Sequence, residues 1–159
     1  MSKGQAGFTF IELLVVIGIV AITATLSTVI LIRPQVTASV DTTVTTLIAD
    51  IAEQQLKAVI GDSQGSSTSQ PFGVYFEPKR YTLFRGASFT PGDPANFVVE
   101  LDPNISLLNI TLPNPLVFTK RSGEVSGFAP GTNSLAVASD LQQEQKTLTI
   151  SRLGKIDVN

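Results

Sequence analysis

"GFTFIELLVVIGIVAI", residues 7–22, is an apolar run that carries a single charge, the carboxylate of Glu12. The run continues to Ile32, and its polar members are Thr9, Thr23, Thr25, Ser27 and Thr28. Those hydroxyls can bond back to a carbonyl one turn earlier on their own helix, so they do not interrupt it. As a helix rising about 1.5 Å per residue, Phe8 to Ile32 reaches roughly 37 Å, enough to cross a ~30 Å hydrocarbon core with some tilt. A charge near the centre of that core costs roughly 2.5–3.5 kcal/mol on insertion scales, so Glu12 calls for a functional reason.

The flanks restrict the reading. Before the run stand the α-amine and Lys3 with no acid, which favours a cytoplasmic N-terminus and an exported C-terminus. A cleaved secretory signal peptide has a shorter apolar stretch, no internal carboxylate and a small-x-small cleavage site, for which "AITATLST" is a poor match. A plain signal anchor leaves Glu12 without a role.

A third reading accounts for all of it. "KGQAGFTFIELLVVIGIVAI" resembles the class III signal of type IV prepilins and type II secretion pseudopilins. The resemblance rests on a short basic leader (Met1 to Gly7), a Gly–Phe junction, Glu as the fifth residue after it, and an apolar helix; Phe10 stands where Leu is commoner. It implies that a prepilin peptidase cuts between Gly7 and Phe8 and N-methylates Phe8. Gly7 permits the cut because a side chain there would obstruct the peptidase. Residues 8–33 then remain as membrane anchor and assembly helix. In a staggered stack of such helices the Glu12 carboxylate of one subunit meets the terminal ammonium of the next, so a charge costly alone in lipid gains a partner on assembly.

Composition excludes several classes. The chain has 159 residues, and the excess of apolar residues lies before residue 33. The remainder, about 125 residues, is enough for a core burying roughly two-thirds of its unfolded surface. With no cysteine and no histidine, disulfides, Cys or His metal sites and imidazole-based catalysis are excluded. No Ser–Lys or carboxylate pair shows role geometry, so the expectation is a protein that is not an enzyme and takes no cofactor. Asp93, Glu100, Asp102 and Asp140 are oxygen donors without the alternating spacing of a calcium loop, so no metal is expected. Net charge is −2, against generic nucleic-acid binding.

Beyond the run, Arg33 can sit at the far interface, and Pro34, lacking an N–H, is expected to kink or break the helix. Residues 34–60 form an amphipathic continuation, with an apolar stripe of Val40, Val44, Leu47, Ile48, Ile51, Leu56 and Val59 and with Gly61 as C-cap. "GDSQGSSTSQP", residues 61–71, reads as a loop. Strand-like runs follow at 72–76, 80–85, 96–101, 105–112, 116–119, 134–139 and 146–158, with turns at "TPGDP" and "LPNP". One long helix followed by short strands means an α+β fold: a long N-terminal hydrophobic helix packed at its C-terminal half on a small antiparallel β-sheet domain, residues 61–159.

"LVFTKRSGEVSG" and "KTLTISRLGKIDV", with a closing hairpin from Ile150 to Ile156 around Gly154, resemble the C-terminal half of H-type minor pseudopilins. The resemblance implies a structural subunit of a secretion pseudopilus or type IV pilus-like filament. It would sit in the bacterial inner membrane as a single pass with its C-terminal domain periplasmic or extracellular. Its partners would be prepilin peptidase, other pilin or pseudopilin subunits, the inner-membrane assembly platform and the lipid bilayer. The alternative is a minor pilin of a DNA-uptake pilus contacting nucleic acid through Lys120, Arg121, Arg152 and Lys155; Lys79 and Arg80 also fall at a turn.

Overall fold

The computed structural model describes residues 9–61, 70–141 and 143–159, with side chains throughout except at 24–38. The fold is α+β. A helix α1 (Phe10–Ile60) precedes β1 (Phe72–Glu77), β2 (Arg80–Arg85), β3 (Phe97–Glu100), β4 (Ile105–Leu108), β5 (Leu116–Phe118), β6 (Ser134–Ser139), β7 (Gln145–Ile150) and β8 (Ile156–Val158). The helix does not break at Pro34, contrary to one of the two outcomes expected there. Proline removes one backbone donor, and a helix of this length keeps its remaining ladder on both sides. The chain nevertheless divides into two compact units just after it, Met1–Gln35 and Val36–Asn159.

In the second unit the buried face of α1 is set by Val40, Val44, Leu47, Ile51, Gln54 and Ala58, all 5% exposed or less. These positions alternate steps of four and three, the spacing of one helix face. The expected stripe holds as far as Ile51 and then fails, because Leu56 is 57% and Val59 42% exposed. The face that meets the sheets continues through a carboxamide and a methyl group instead. Gly61 ends the helix with φ +73°, the left-handed conformation a C-cap requires.

A single small sheet was expected; the strands form two. One has the order β3-β2-β1-β5 and the other β4-β6-β7-β8, with every pairing antiparallel. The run at 105–112 is strand only as far as Leu108, because Asn109 takes φ +49° and turns the chain out of the ladder. The stretch 146–158 is two strands, hinged where Gly154 (φ +81°) closes the β7–β8 hairpin with Ile150 opposite Ile156. That hairpin matches the expectation.

One core joins the helix to both sheets. Leu47 and Ile51 belong to it with Phe72, Val74, Phe76, Leu83 and Phe118 from the first sheet and Ile105, Leu107, Leu135, Val137 and Leu148 from the second. Each fully buried side chain of this size contributes about 1.5–3 kcal/mol. Polar ties fix the register. The Tyr81 hydroxyl donates to Asp50 at 2.5 Å, and Lys146 pairs with Asp41, so both sheets are tied to the helix. Lys79 joins the sheets to each other through Asp140 and the carbonyls of Pro103 (2.8 Å) and Ile105 (3.2 Å).

Candidate functional site

The N-terminal residues identified from the sequence fall partly within reach. Gly7 and Phe8 lie outside the described residues. Glu12 is in the first turn of α1 and exposed. Its backbone N–H donates to Thr9 Oγ1 at 3.3 Å, while the N–H of Leu13 donates to the Thr9 carbonyl at 3.2 Å. Thr9 is therefore the N-cap and Glu12 the third helical residue, the arrangement Thr-x-x-Glu of a capping box with its forward bond made. At this position a carboxylate also meets the positive end of the helix dipole. Sequence reading treated Glu12 only as an intersubunit partner; the Thr9–Glu12 spacing was the signal for this second, local role.

The helix surface that follows is apolar all round. From Phe10 to Ile22 every large apolar side chain is at least 49% exposed, with Val16 the least and Phe10 the most at 77%. A helix without a polar face does not pack on one side of a domain; it needs an apolar environment on every side. Thr23 fits this surface as expected, because its hydroxyl donates to the carbonyls of Ile19 (2.9 Å) and Val20 (3.0 Å). Among the described residues no helix is long and apolar enough to cross a membrane. Residues 24–32 of the apolar run belong to the stretch without described side chains.

The four basic residues near the C-terminus sit on two turns, 119–123 and 151–155, and the structure brings those turns together. Gln55 of α1 donates through Nε2 to the carbonyls of Gly123 (2.9 Å) and Leu153 (2.7 Å). The N–H of Val125 donates to the Arg152 carbonyl at 2.9 Å, and that of Arg121 to the helix-terminal carbonyl of Ala58 at 2.8 Å. Gly154 suits this site because its φ of +81° is strained for any other residue, and a Cβ there would also lie 2.3 Å from Gln55 Nε2 and displace that side chain. Arg152 pairs with Glu124 at 3.3 Å and Lys155 with Asp157 at 2.7 Å. Lys120 and Arg121 make no ion pair with a described residue.

The other candidate groups are engaged in local structure. Asp93 accepts from the N–H of Ala95 (2.8 Å) and Asp102 from that of Asn104 (2.9 Å), both as turn-forming contacts. Glu100 lies 3.9 Å from Arg80, whose nearer partner is Glu77 at 2.7 Å. Hydrogen bonding by Arg80 holds the Glu77 carboxyl below its usual range. Asp140 takes Lys79 on one oxygen and the Ser106 hydroxyl on the other at 2.6 Å, and these two bonds lower its carboxyl likewise. Among the described residues no three metal-ligating side chains converge.

No curated protein and no solved structure matches the chain. Residues 2–28 match the family model of the prokaryotic N-terminal methylation motif, a stretch that takes in the Gly7–Phe8 junction, Thr9 and Glu12.

Proposed function

We propose that the protein is a non-enzymatic structural subunit of a type II secretion pseudopilus or type IV pilus-like filament. The observation that carries this reading is the methylation motif at residues 2–28 with Glu12 inside it. Prepilin peptidase cuts between Gly7 and Phe8 and methylates Phe8. The helix then holds the chain in the bacterial inner membrane, N-terminus cytoplasmic, until the assembly platform passes it to other subunits. An apolar helix surface without a polar face supports this, because both lipid and a bundle of like helices supply the surroundings it lacks in the isolated chain. The patterns around Lys120 and Gly154 support the narrower assignment to H-type minor pseudopilins.

Mass spectrometry of the chain made in a host with prepilin peptidase should find a mature protein beginning at N-methylated Phe8, and Gly7→Ala should keep the leader. An unchanged N-terminus in both would end the reading. Glu12→Ala should be processed normally yet be depleted from filaments; incorporation at the wild-type level would remove its assembly role.

The DNA-uptake alternative draws support from one arrangement: Gln55 ties the two basic turns to the same helix end. Against it, Arg152 and Lys155 already have acidic partners. Retention of duplex DNA by the full-length protein in detergent, falling steeply with salt and lost in Lys120→Ala/Arg121→Ala, would decide for it.

A further inference from the structure

Gln54 is 2% exposed, and its carboxamide makes no hydrogen bond with a described residue. A buried amide left unpaired is destabilising, so its presence among aliphatic neighbours on the core face of α1 calls for a compensating role. The side chain lines a cleft of about 350 Å³ between the helical turn at 50–57 and the ends of β1, β2 and β3. The volume is in the range of small-ligand sites.

The remaining walls divide cleanly into apolar surface, satisfied polar groups and one free charge. Phe72 and Leu83 are buried against the core, and Phe97, on the outer strand β3, is 65% exposed. Asp50 accepts the Tyr81 hydroxyl, and Glu53 pairs with Lys57 at 2.7 Å. Arg85, at the end of β2, has neither a hydrogen bond nor an ion pair with a described residue through its guanidinium. By contrast Lys79, Arg80, Lys146, Arg152 and Lys155 have carboxylate partners, while Lys120 and Arg121, also without one among the described residues, are exposed on a turn outside the cleft. Two groups in the cleft thus remain to be satisfied: a carboxamide, which both donates and accepts, and a guanidinium, which matches a carboxylate bidentately.

We propose that this cleft binds an apolar residue carrying a free α-carboxylate beside an amide, as at the C-terminus of a polypeptide or in a free N-acyl amino acid. The carboxylate pairs with Arg85, the amide with Gln54, and the side chain lies against Phe72, Leu83 and Phe97. The protein already makes the amide pairing elsewhere: the Asn114 carboxamide accepts from the Phe76 N–H at 3.0 Å and donates to the Phe76 carbonyl at 2.9 Å. No residue of the methylation motif takes part, so the inference stands independently of filament assembly.

Saturation-transfer NMR on the full-length protein in detergent micelles tests it, with N-acetyl-L-phenylalanine as probe and N-acetyl-L-phenylalaninamide as its uncharged control. Saturable binding of the acid, at least tenfold weaker for the amide and for the acid with Arg85→Met or Gln54→Leu, is expected. Thermal melting of both variants checks the fold; Gln54→Leu removes an unsatisfied group and should melt no lower than wild type. A peptide ending in Phe that binds more tightly than N-acetyl-phenylalanine marks a polypeptide C-terminus as the source, and the reverse order marks the free derivative. Equal binding of acid and amide, or no saturable signal with wild type while Gln54→Leu raises the melting temperature, overturns the proposal and leaves Gln54 a packing fault.

Discussion

Thr9 caps the helix at Glu12: the backbone N–H of Glu12 donates to Thr9 Oγ1 at 3.3 Å, two residues after the Gly7–Phe8 junction. Glu12 is thus held at the start of the helix through its backbone, with its carboxylate in the first turn. Thr9→Ala should therefore loosen the first turn by about 1 kcal/mol. Amide exchange at Glu12 in micelles should quicken about fivefold, while the amides near Thr23 stay unchanged. Equal exchange in the two proteins would show that the cap contributes nothing.

The helix phase separates two leucines of similar sequence context. Leu47 is fully buried and Leu56 is 57% exposed. Leu47→Ala should lower unfolding stability by about 2–5 kcal/mol and Leu56→Ala by about 0.5 kcal/mol or less. Urea denaturation of both variants reads the difference; comparable losses would mean that the helix is rotated from the phase described.

The Tyr81–Asp50 bond ties β2 to the helix at 2.5 Å. Burial, and then the hydrogen bond to Asp50, push the Tyr81 phenol well above its ordinary value. Because the folded value is raised, this contribution to stability is complete below pH ~10 and is lost as pH climbs beyond it. Tyr81→Phe should cost about 1.5–3 kcal/mol at neutral pH, the loss of a hydrogen bond to a charged group. It should also flatten the alkaline decline in stability. Denaturation at pH 8 and pH 11 tests both parts, and an identical decline in the variant would contradict the linkage.

Gln55 and Gly154 form a clamp that tolerates little change. Gln55→Ala deletes two hydrogen bonds to carbonyls and should cost about 1–3 kcal/mol. Gly154→Ala adds a Cβ against Gln55 at φ +81° and should cost more. The double variant relieves the clash but not the backbone strain, so its loss should be less than the sum of the two. Strict additivity in urea melts would show that the contact does not form.

Much of the architecture was legible because the residues concerned act through short-range physics. The apolar run, the strand periods other than 109–112 and the Ile150–Ile156 hairpin are local patterns, and their described parts appear where expected. The Thr9–Glu12 cap is equally local, written in the sequence as a Thr-x-x-Glu spacing. The failures are of another kind. Leu56 and Val59 are apolar, so a hydrophobicity pattern draws them into the stripe, yet the stripe continues through Gln54 and Ala58. Which side of a helix faces a sheet is settled by the shape of the partner, and only close packing reveals that a methyl group or a carboxamide fits there better than leucine.

By itself, then, the sequence determined the α+β class of the chain and the methylation motif at residues 2–28, since both are carried by spacing along the chain. Only the tertiary structure decided that the strands divide into two sheets, that Gln55 gathers two turns whose farther contact lies 98 residues from it in sequence, and that Gln54 and Arg85 share one cleft. Those relations depend on contacts between distant segments. Such contacts arise from burying a common core, and no local pattern encodes which distant partner a side chain will meet.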